Sequence, residues 1–198
     1  MAPPEAEKPW WQRLLDALID QSVTPPGGVG GHVWIEGTGH VVQQRPPVIQ
    51  QLSPNFRRTP GRKPTCVVIH ATATSGLASP LAWLCNPASK VSAHYLIDVN
   101  GIVYQLVHEE DVAWHAGVSE WRGLPNVNAY SVGIELVNPN DFTPYPEAQL
   151  TSCAALVRAI CAEHGIAHAN VVGHADVAPG RKTDPAGFDW PRFRGMLA

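Results

Sequence analysis

The hydrophobic pattern of the chain predicts strands and helices in alternation from about residue 62 onwards. Three short runs have the length and the β-branched character of buried strands: residues 65–70, 130–137 and 170–174. Two more strands are predicted within residues 93–107, on either side of Asn100-Gly101, because this dipeptide is typical of a tight hairpin turn.

Apolar residues with helical spacing predict two helices in the same region, at residues 77–85 and 146–165. The second has proline at its start and glycine at its end, which are the positions that these residues favour. Strands that alternate with helices form a sheet covered by helices. We therefore predict an α/β fold in which helices flank a mixed central β-sheet.

The first sixty residues have a different pattern and predict an N-terminal extension to a domain that spans residues 61–198. Tryptophan, leucine and isoleucine recur with helical spacing at about residues 9–20, which predicts an amphipathic helix. The helix has no basic face, so packing on the domain is favoured over contact with a membrane or a partner. A Pro/Gly-rich hinge follows, and the remainder up to residue 60 is predicted to be an irregular wrap with short β-prone pieces.

Composition and charge argue against a nucleic-acid partner and against a membrane-spanning segment. The 14 Lys and Arg residues against 17 Asp and Glu residues give a net charge of −3, with no long run of either sign, so a nucleic-acid partner is not expected. No stretch approaches the roughly 20 apolar residues of a membrane span, and no signal peptide is predicted. We therefore expect a protein that is made in the cytoplasm and has no transmembrane segment. The oligomeric state stays open.

The four cysteines predict free thiols rather than a metal knuckle or a disulfide. No two of them form a C-x-x-C pair, which a structural zinc site would favour. Cys153 and Cys161 would lie about 12 Å apart on the helix predicted at 146–165, too far for a disulfide bond. We expect reduced and mostly buried thiols.

Two histidines and one loop provide the residue types of a metal site. His70 ends the strand predicted at residues 65–70, and His174 ends the strand predicted at residues 170–174. Sites in an open α/β sheet gather where strands end and loops begin. The loop "GHADVAPGRKTDP" at residues 173–185 adds two aspartates. Two histidines, a carboxylate and an open fourth position are the pattern of a catalytic zinc site.

Five motifs in this region resemble one family, the zinc-dependent N-acetylmuramoyl-L-alanine amidases. They are "CVVIH", "SAHYLIDVNGIVYQLV", "AWHAGVS", "VGIELVN" and "GHADVAPGRKTDP". They occur in the order of the family, and the resemblance spans residues 62–194. This family shares its fold with phage lysozyme-amidases, peptidoglycan-recognition proteins and AmpD-type amidases. The resemblance therefore implies an enzyme that binds a single Zn²⁺ per chain.

The resemblance places the zinc ligands at His70, His174 and Asp184. Some relatives have cysteine at the third position, whereas this chain has aspartate, as the AmpD-type branch does. Asp176 is the other carboxylate of the loop. It lies two residues from His174, where a local turn hydrogen bond is expected instead.

The resemblance also places the catalytic groups at Glu135 and Lys182. Zinc lowers the pKa of a water molecule toward about 7 and polarises a carbonyl. Glu135, on an apolar strand, would move the proton from that water to the leaving amine. Lys182 would hold the developing oxyanion, with plain solvent exposure as its alternative. Part of the family has a catalytic tyrosine where this chain has Ala93, so Glu135 would act without it.

Four further residues are predicted to contact the substrate. Trp114 and His115 lie between small residues in "AWHAG", which suits the wall of a groove, and the resemblance implies that His115 faces the substrate. Arg181 would pair with a carboxylate of the stem peptide, with a salt bridge inside its own loop as the alternative. His94 either lines the cleft or is a core histidine, and the sequence does not decide between them.

The resemblance implies a peptidoglycan hydrolase that cleaves the amide between N-acetylmuramic acid and the L-alanine of the stem peptide. Its partner would be peptidoglycan or a muropeptide. The sixty-residue extension favours a lytic endolysin that reaches the wall by holin-type release. One alternative is a cytosolic AmpD-like amidase that recycles 1,6-anhydro-muropeptides. The other is a non-catalytic peptidoglycan-binding module, which the presence of all three ligands with Glu135 and Lys182 disfavours.

Overall fold

The computed structural model describes residues 45–198, together with the backbone of two short strands at 32–34 and 41–43. The helix predicted at residues 9–20 and the hinge after it lie outside the described residues. The strands are β1 (His32–Trp34), β2 (Val41–Gln43), β3 (Val48–Gln50), β4 (Phe56–Arg57), β5 (Cys66–Ala71), β6 (Tyr95–Ile97), β7 (Val103–Gln105), β8 (Val112–Ala113), β9 (Glu120–Trp121), β10 (Leu124–Pro125), β11 (Ser131–Leu136) and β12 (Val171–Gly173).

Six of these strands form the central sheet, in the order β12-β5-β11-β6-β7-β3. The strands from β12 to β6 run parallel, β7 returns antiparallel to β6, and β3 pairs parallel with β7. The turn between β6 and β7 contains Gly101 with a φ of +83°, as the predicted hairpin requires. The remaining strands form two-stranded ribbons, β1 with β2, β4 with β8 and β9 with β10.

Four α-helices accompany the sheet in the described part of the chain: α1 (Ala78–Leu84), α2 (Glu147–His164), α3 (His174–Val177) and α4 (Trp190–Leu197). Pro146 precedes α2, and Gly165 ends it in the left-handed conformation with a φ of +68°. The bounds of α1 and α2 match the two predicted helices to within a residue or two. The predicted α/β fold, with a mixed sheet and flanking helices, is confirmed.

The two faces of the sheet have different roles. Alternate residues of β5 and β11 point to opposite faces. One set is apolar and packs with α2 and α4 in the main core: Val67, Ile69, Val132, Ile134 and Leu136. The other set is more polar, and it places His70 and Glu135 side by side as register partners. The face away from α2 and α4 therefore holds His70, a predicted metal ligand, and Glu135, the residue predicted to move the proton.

The structure differs from the prediction at the end of the N-terminal extension. β3 is the edge strand of the central sheet, so residues 48–50 belong to the compact fold. Ser53 and Asn55 are buried, and their side chains donate hydrogen bonds to the backbone carbonyls of Leu84 and Asn86. A domain that started at residue 61 would lose these contacts. The compact unit extends from residue 32 to residue 198.

The structure agrees with the expectation for the cysteines. All four cysteines lie in the described part of the chain, and each thiol is free. Among the described residues, no helix combines the length and apolar character needed to cross a membrane.

Candidate active site

The first part of the site lies where β5 and β11 end side by side. His70 is the fifth residue of β5, and its side chain is almost completely buried. Its register partner on β11 is Glu135. Because partners on parallel strands point to the same face, an imidazole and a carboxyl stand next to each other at this edge of the sheet.

The second part of the site lies on the other side of β5, where β12 ends. Here the structure corrects a detail of the prediction, because the strand stops at Gly173 and His174 is the first residue of the short helix α3. Asp176 accepts a hydrogen bond of 2.8 Å from the backbone N–H of Gly173, which is the local role expected for it. The backbone N–H of Ala175 donates to the carbonyl of Asp184, so the two ends of the loop are joined.

The site brings His70, His174 and Asp184 together in a buried cluster. The Nδ1 atoms of the two histidines lie 2.9 Å apart. The Oδ2 atom of Asp184 is 3.1 Å from Nδ1 of His174 and 3.4 Å from Nδ1 of His70. Ligands at zinc distances of about 2.0–2.2 Å in a tetrahedron stand about 3.4 Å apart. The spacing of these three atoms therefore suits one metal ion.

The protonation of the cluster also fits a cation. Nε2 of His174 lies 3.1 Å from the carbonyl oxygen of Ala116, which can only accept, so Nε2 carries the hydrogen and Nδ1 presents a lone pair. Burial lowers the pKa of His70 to about 4, which leaves it neutral at pH 7. Neutral imidazoles and an ionised carboxylate are the forms that bind metals.

Glu135 is half-buried, and one oxygen of its carboxyl group is buried and unsatisfied. Its Oε2 atom has no hydrogen-bond partner among the residues that the structure describes. Burial, followed by the negative charge of Asp184, raises the pKa of Glu135 to about 8. A carboxyl with a pKa near neutrality can both accept and release a proton, and such groups cluster at catalytic sites.

A cleft of about 450 Å³ opens beside the cluster. It is lined by Glu135, His174 and Asp184, and also by Trp114, His115, Arg181 and Lys182. The structure therefore brings most of the residues predicted for catalysis and substrate binding to one cavity. His70 does not line the cleft, but its side chain lies next to those of His174 and Asp184, which do. The exposed position of Lys182 on the rim allows its side chain to enter the cleft.

His94 and Arg181 make contacts that the sequence did not indicate. His94 is fully buried, accepts a hydrogen bond from the backbone N–H of Gly133, and has its Nε2 atom 3.1 Å from the carbonyl of Asp111. This placement favours the core histidine that the sequence left open. Nη2 of Arg181 donates to the carbonyls of Ala116 and Val118. Arg181 thus joins its own loop to the segment that carries Trp114 and His115.

A family of known proteins matches most of the chain. The model of the Amidase_2 family, described as N-acetylmuramoyl-L-alanine amidase, matches residues 60–187, which include every residue of the cluster and the cleft named above. The chain belongs to the N-acetylmuramoyl-L-alanine amidase family.

Individual members of this amidase family are similar to the chain in sequence and in structure. The 1,6-anhydro-N-acetylmuramyl-L-alanine amidase AmpD of Salmonella typhimurium (strain SL1344) is 44% identical over 110 residues, which are 55% of this chain and 58% of that protein. The crystal structure of a selenomethionine AmpD derivative has a TM-score of 0.70 at 31% identity, covering 79% of this chain and 98% of that one. The aligned part is thus under two thirds of the curated AmpD protein.

A second structure in the family contains a substrate. AmiD from Escherichia coli, in complex with anhydro-N-acetylmuramic acid-L-Ala-D-gamma-Glu-L-Lys, has a TM-score of 0.61 at 35% identity, covering 84% of this chain and 65% of that one. At this identity and coverage, the two proteins share their fold.

Some residues of this candidate site were missed by the sequence analysis. Trp83 on α1 lines the cleft and is 57% exposed, and Thr72 and Asn140 line it as well. The helical pattern that predicted α1 says nothing about which side chain reaches a cleft formed by distant loops. Ser131 was also missed, although it shares a strand face with Glu135 four residues later, and strand alternation could have indicated it.

Proposed function

We propose that this chain is a zinc-dependent amidase that cleaves the amide between the lactyl group of N-acetylmuramic acid and L-alanine, with a soluble 1,6-anhydro-muropeptide as its substrate. The observation that carries the proposal is the buried cluster of His70, His174 and Asp184 beside the carboxyl of Glu135 in one cleft. Family membership supports the same chemistry.

The metal in this proposal is a single Zn²⁺ held by His70, His174 and Asp184. Two histidines, one carboxylate and an open position toward a cleft are the ligand set of catalytic zinc. When bound there, zinc would supply a water molecule of lowered pKa and polarise the carbonyl of the scissile amide.

Glu135 is the group that moves the proton in this mechanism. Burial raises its pKa toward neutrality, so its ionised form would take a proton from the attacking water and its protonated form would give one to the leaving nitrogen. The unsatisfied Oε2 atom is available for these transfers. A buried carboxyl in this position also holds the proton away from bulk solvent between the two steps.

Lys182 would hold the oxygen of the amide as it gains negative charge. Its side chain lines the same cleft as Glu135 and Asp184, and its charge lowers the pKa of Glu135 from across the cavity. A fixed positive group is worth most where charge develops in the transition state. Trp114 and Arg181 line the same cleft and would form the wall that receives the sugar and the stem peptide.

The choice of substrate departs from the endolysin that the extension favoured. Endolysin amidases share this fold, so the fold does not separate the two roles. Sequence identity favours the alternative, because the 44% identical relative is a 1,6-anhydro-N-acetylmuramyl-L-alanine amidase. AmiD, which is 35% identical, was solved with an anhydro-muropeptide substrate. Neither protein is named an endolysin.

One assay separates these functions. The zinc-loaded protein is incubated with soluble 1,6-anhydro-muropeptides and, separately, with intact sacculi, each with and without a chelator. The proposal expects new L-alanine N-termini from the soluble substrate at a much higher rate, and none after chelation. Faster release from sacculi would support the endolysin, and binding to sacculi without any cleavage would support the non-catalytic module. The His174→Ala variant is the control for contaminating amidases.

A further inference from the structure

His115 lies beside the metal cluster, and both of its ring nitrogens are already engaged within the protein. Its Nδ1 atom lies 2.9 Å from Nε2 of His70. Its Nε2 atom lies 3.1 Å from Oγ of Ser131. These contacts leave neither nitrogen to bind the substrate, although the ring borders the cleft. His115 must therefore act on something other than the substrate.

The three side chains form a series of hydrogen bonds from His70 through His115 to Ser131, and the contact that Ser131 makes with Val127 fixes the direction of each bond. The hydroxyl of Ser131 donates its single hydrogen to the carbonyl of Val127, at 2.7 Å. Ser131 can then only accept from His115, so the hydrogen of the neutral His115 ring is on Nε2. Its Nδ1 atom carries a lone pair and accepts a hydrogen bond from Nε2 of His70.

This order decides which nitrogen of His70 faces the cluster as a ligand. A neutral imidazole has one N–H, and His70 uses it toward His115. Nδ1 of His70 is therefore left with a lone pair, 2.9 Å from Nδ1 of His174 and 3.4 Å from Oδ2 of Asp184. The contacts of Ser131 and His115 thus select the tautomer of His70 that can bind a metal ion.

The backbone around His115 is shaped for this arrangement. The ring lies over Gly133 of β11, where a Cβ atom would come within 2.4 Å of Cγ of His115. Gly133 stands between Ser131 and Glu135 on the same face of the strand. The side chain of Asn128 accepts hydrogen bonds from the backbone N–H groups of His115 and Ala116 and so fixes the segment. The ring has a defined place that only a glycine at position 133 leaves open.

We propose that His115 and Ser131 are positioning residues for the metal site, which hold His70 in the Nε2–H tautomer with its Nδ1 lone pair toward the cation. This inference rests on the zinc site of the proposed function. Partners that orient a metal-binding histidine in this way typically contribute 10- to 100-fold to metal affinity. The role is distinct from contact with the substrate, which the sequence predicted for His115.

Zinc affinity of the full-length, metal-free protein tests the proposal through two substitutions at one position. His115→Phe keeps the ring shape but removes the acceptor, and it should weaken zinc binding about 10- to 100-fold in a competition titration with a chromophoric chelator. His115→Asn places an amide oxygen near the former Nδ1 position and should restore most of the affinity. His168→Phe, at an exposed histidine on the surface, is the matched control and should change nothing. An unchanged zinc affinity in a folded His115→Phe protein would overturn the proposal.

Histidine tautomers provide a second measurement that needs no variant. Long-range ¹H–¹⁵N spectra of the metal-free protein should show His70 and His115 protonated on Nε2 and unprotonated on Nδ1. Ser131→Ala should disturb the His115 signals first, because it removes the acceptor for the Nε2 hydrogen. A hydrogen on Nδ1 of His70 in the wild-type protein would refute the proposed series of hydrogen bonds from His70 through His115 to Ser131. Both measurements are made without substrate, so a protein that passes them but cleaves no muropeptide would refute the proposed function alone.

Discussion

Two clusters in the described part of the chain bring three potential metal ligands together, and they differ in where their hydrogens lie. One consists of His70, His174 and Asp184, and we call it the histidine cluster; the other consists of Glu109, Glu163 and His164, and we call it the glutamate cluster. In both, the ligand atoms lie within 4.8 Å of one another. Proximity alone therefore does not distinguish a metal site from an ion-pair network.

The glutamate cluster contains its own cation. Arg45 donates hydrogen bonds to both oxygens of Glu109 and also pairs with Glu163. The hydroxyl of Tyr95 donates to Glu109 as well, and His164 lies against the same carboxylate. Burial opposes the ionisation of Glu109, but these donors lower its pKa to about 2. The oxygen atoms of Glu109 that a metal ion would need already accept hydrogen bonds from these neighbours.

The histidine cluster has the opposite arrangement. The outward nitrogens of His70 and His174 donate away from the centre, to His115 and to the carbonyl of Ala116, so lone pairs converge on the space between the ligands. Converging acceptors repel one another unless a cation lies among them. The comparison shows that the positions of donors, more than the distances between ligands, separate a metal site from a structural network.

Removal of one ligand from each cluster should produce the largest contrast. His174→Ala should abolish zinc binding and amidase activity together, because two ligands do not hold zinc in a protein site. Glu163→Ala in the glutamate cluster should leave both at the wild-type level. Zinc content by elemental analysis and turnover of an anhydro-muropeptide, measured on the same samples, check this prediction.

Asp176 and Asp184 provide a control within one loop. Asp184→Ala should remove the metal, whereas Asp176→Ala should keep it, since Asp176 bonds to the backbone N–H of Gly173. If Asp176→Ala lost its zinc and Asp184→Ala kept it, the ligand assignment would be wrong.

The next largest effect is expected at Glu135, the buried carboxyl that contrasts with Glu109. Burial raises the pKa of Glu135 to about 8, while its donors lower that of Glu109 to about 2. Glu135→Gln keeps the size and polarity but cannot carry a proton, so single-turnover cleavage should slow by roughly 10²- to 10⁴-fold with zinc still bound. A zinc-loaded Glu135→Gln protein within a few-fold of the wild-type rate would refute the mechanism.

Lys182→Ala should have a smaller effect, a loss of roughly 10²-fold in the same single-turnover assay. The side chain lines the cleft and is not one of the proposed zinc ligands, so zinc content should stay normal. The double variant with Glu135→Gln should lose less than the product of the two single losses, because both groups serve one transition state. A fully multiplicative loss would show that the two residues act in separate steps.

The sequence predicted the parts of the fold that depend on local patterns. Periodicity and terminal residues gave α2 with its Pro146 and Gly165, and Asn100-Gly101 gave the hairpin of β6 and β7. β3 was missed, because a run of three residues, two of them apolar, is too short to form a recognisable strand pattern. Such a short edge strand exists only because β7 offers a partner, and pairing between distant segments leaves no local trace.

The candidate site shows the same division. His70, His174, Asp184 and Glu135 could be named from motifs, because each is tied to a strand end or a loop of fixed composition. The functions of His94, His115 and Ser131 could not be named in this way. The two ring contacts of His115, for example, join it to residues that lie 45 and 16 positions away in sequence. Such contacts form only when the fold is assembled, so a local sequence pattern does not indicate them.

The smallest effect on chemistry is expected from Glu109, whose replacement should change stability alone. Its pKa is about 2 in the folded chain against an ordinary value of 4.5. A carboxyl with a lowered pKa in the folded state stabilises the fold fully above pH 4.5 and loses that contribution as the pH falls to about 2. From this difference, at about 1.4 kcal/mol for each tenfold change in proton affinity, Glu109→Gln should cost about 3 kcal/mol of unfolding free energy at pH 7. Zinc affinity and turnover should match those of the wild type.

Urea unfolding of the metal-free proteins at pH 7 and pH 3 checks this prediction without interference from the metal ligands. The difference between wild type and Glu109→Gln should shrink at pH 3, because Glu109 is then protonated in the unfolded wild-type chain and must release that proton on folding. Glu163→Gln is the matched control: its side chain is 59% exposed, so the loss should stay below about 1 kcal/mol at either pH. A stability difference that grew toward pH 3 would contradict the lowered pKa of Glu109. A fall in zinc affinity in Glu109→Gln would mean that the glutamate cluster is coupled to the metal site rather than independent of it.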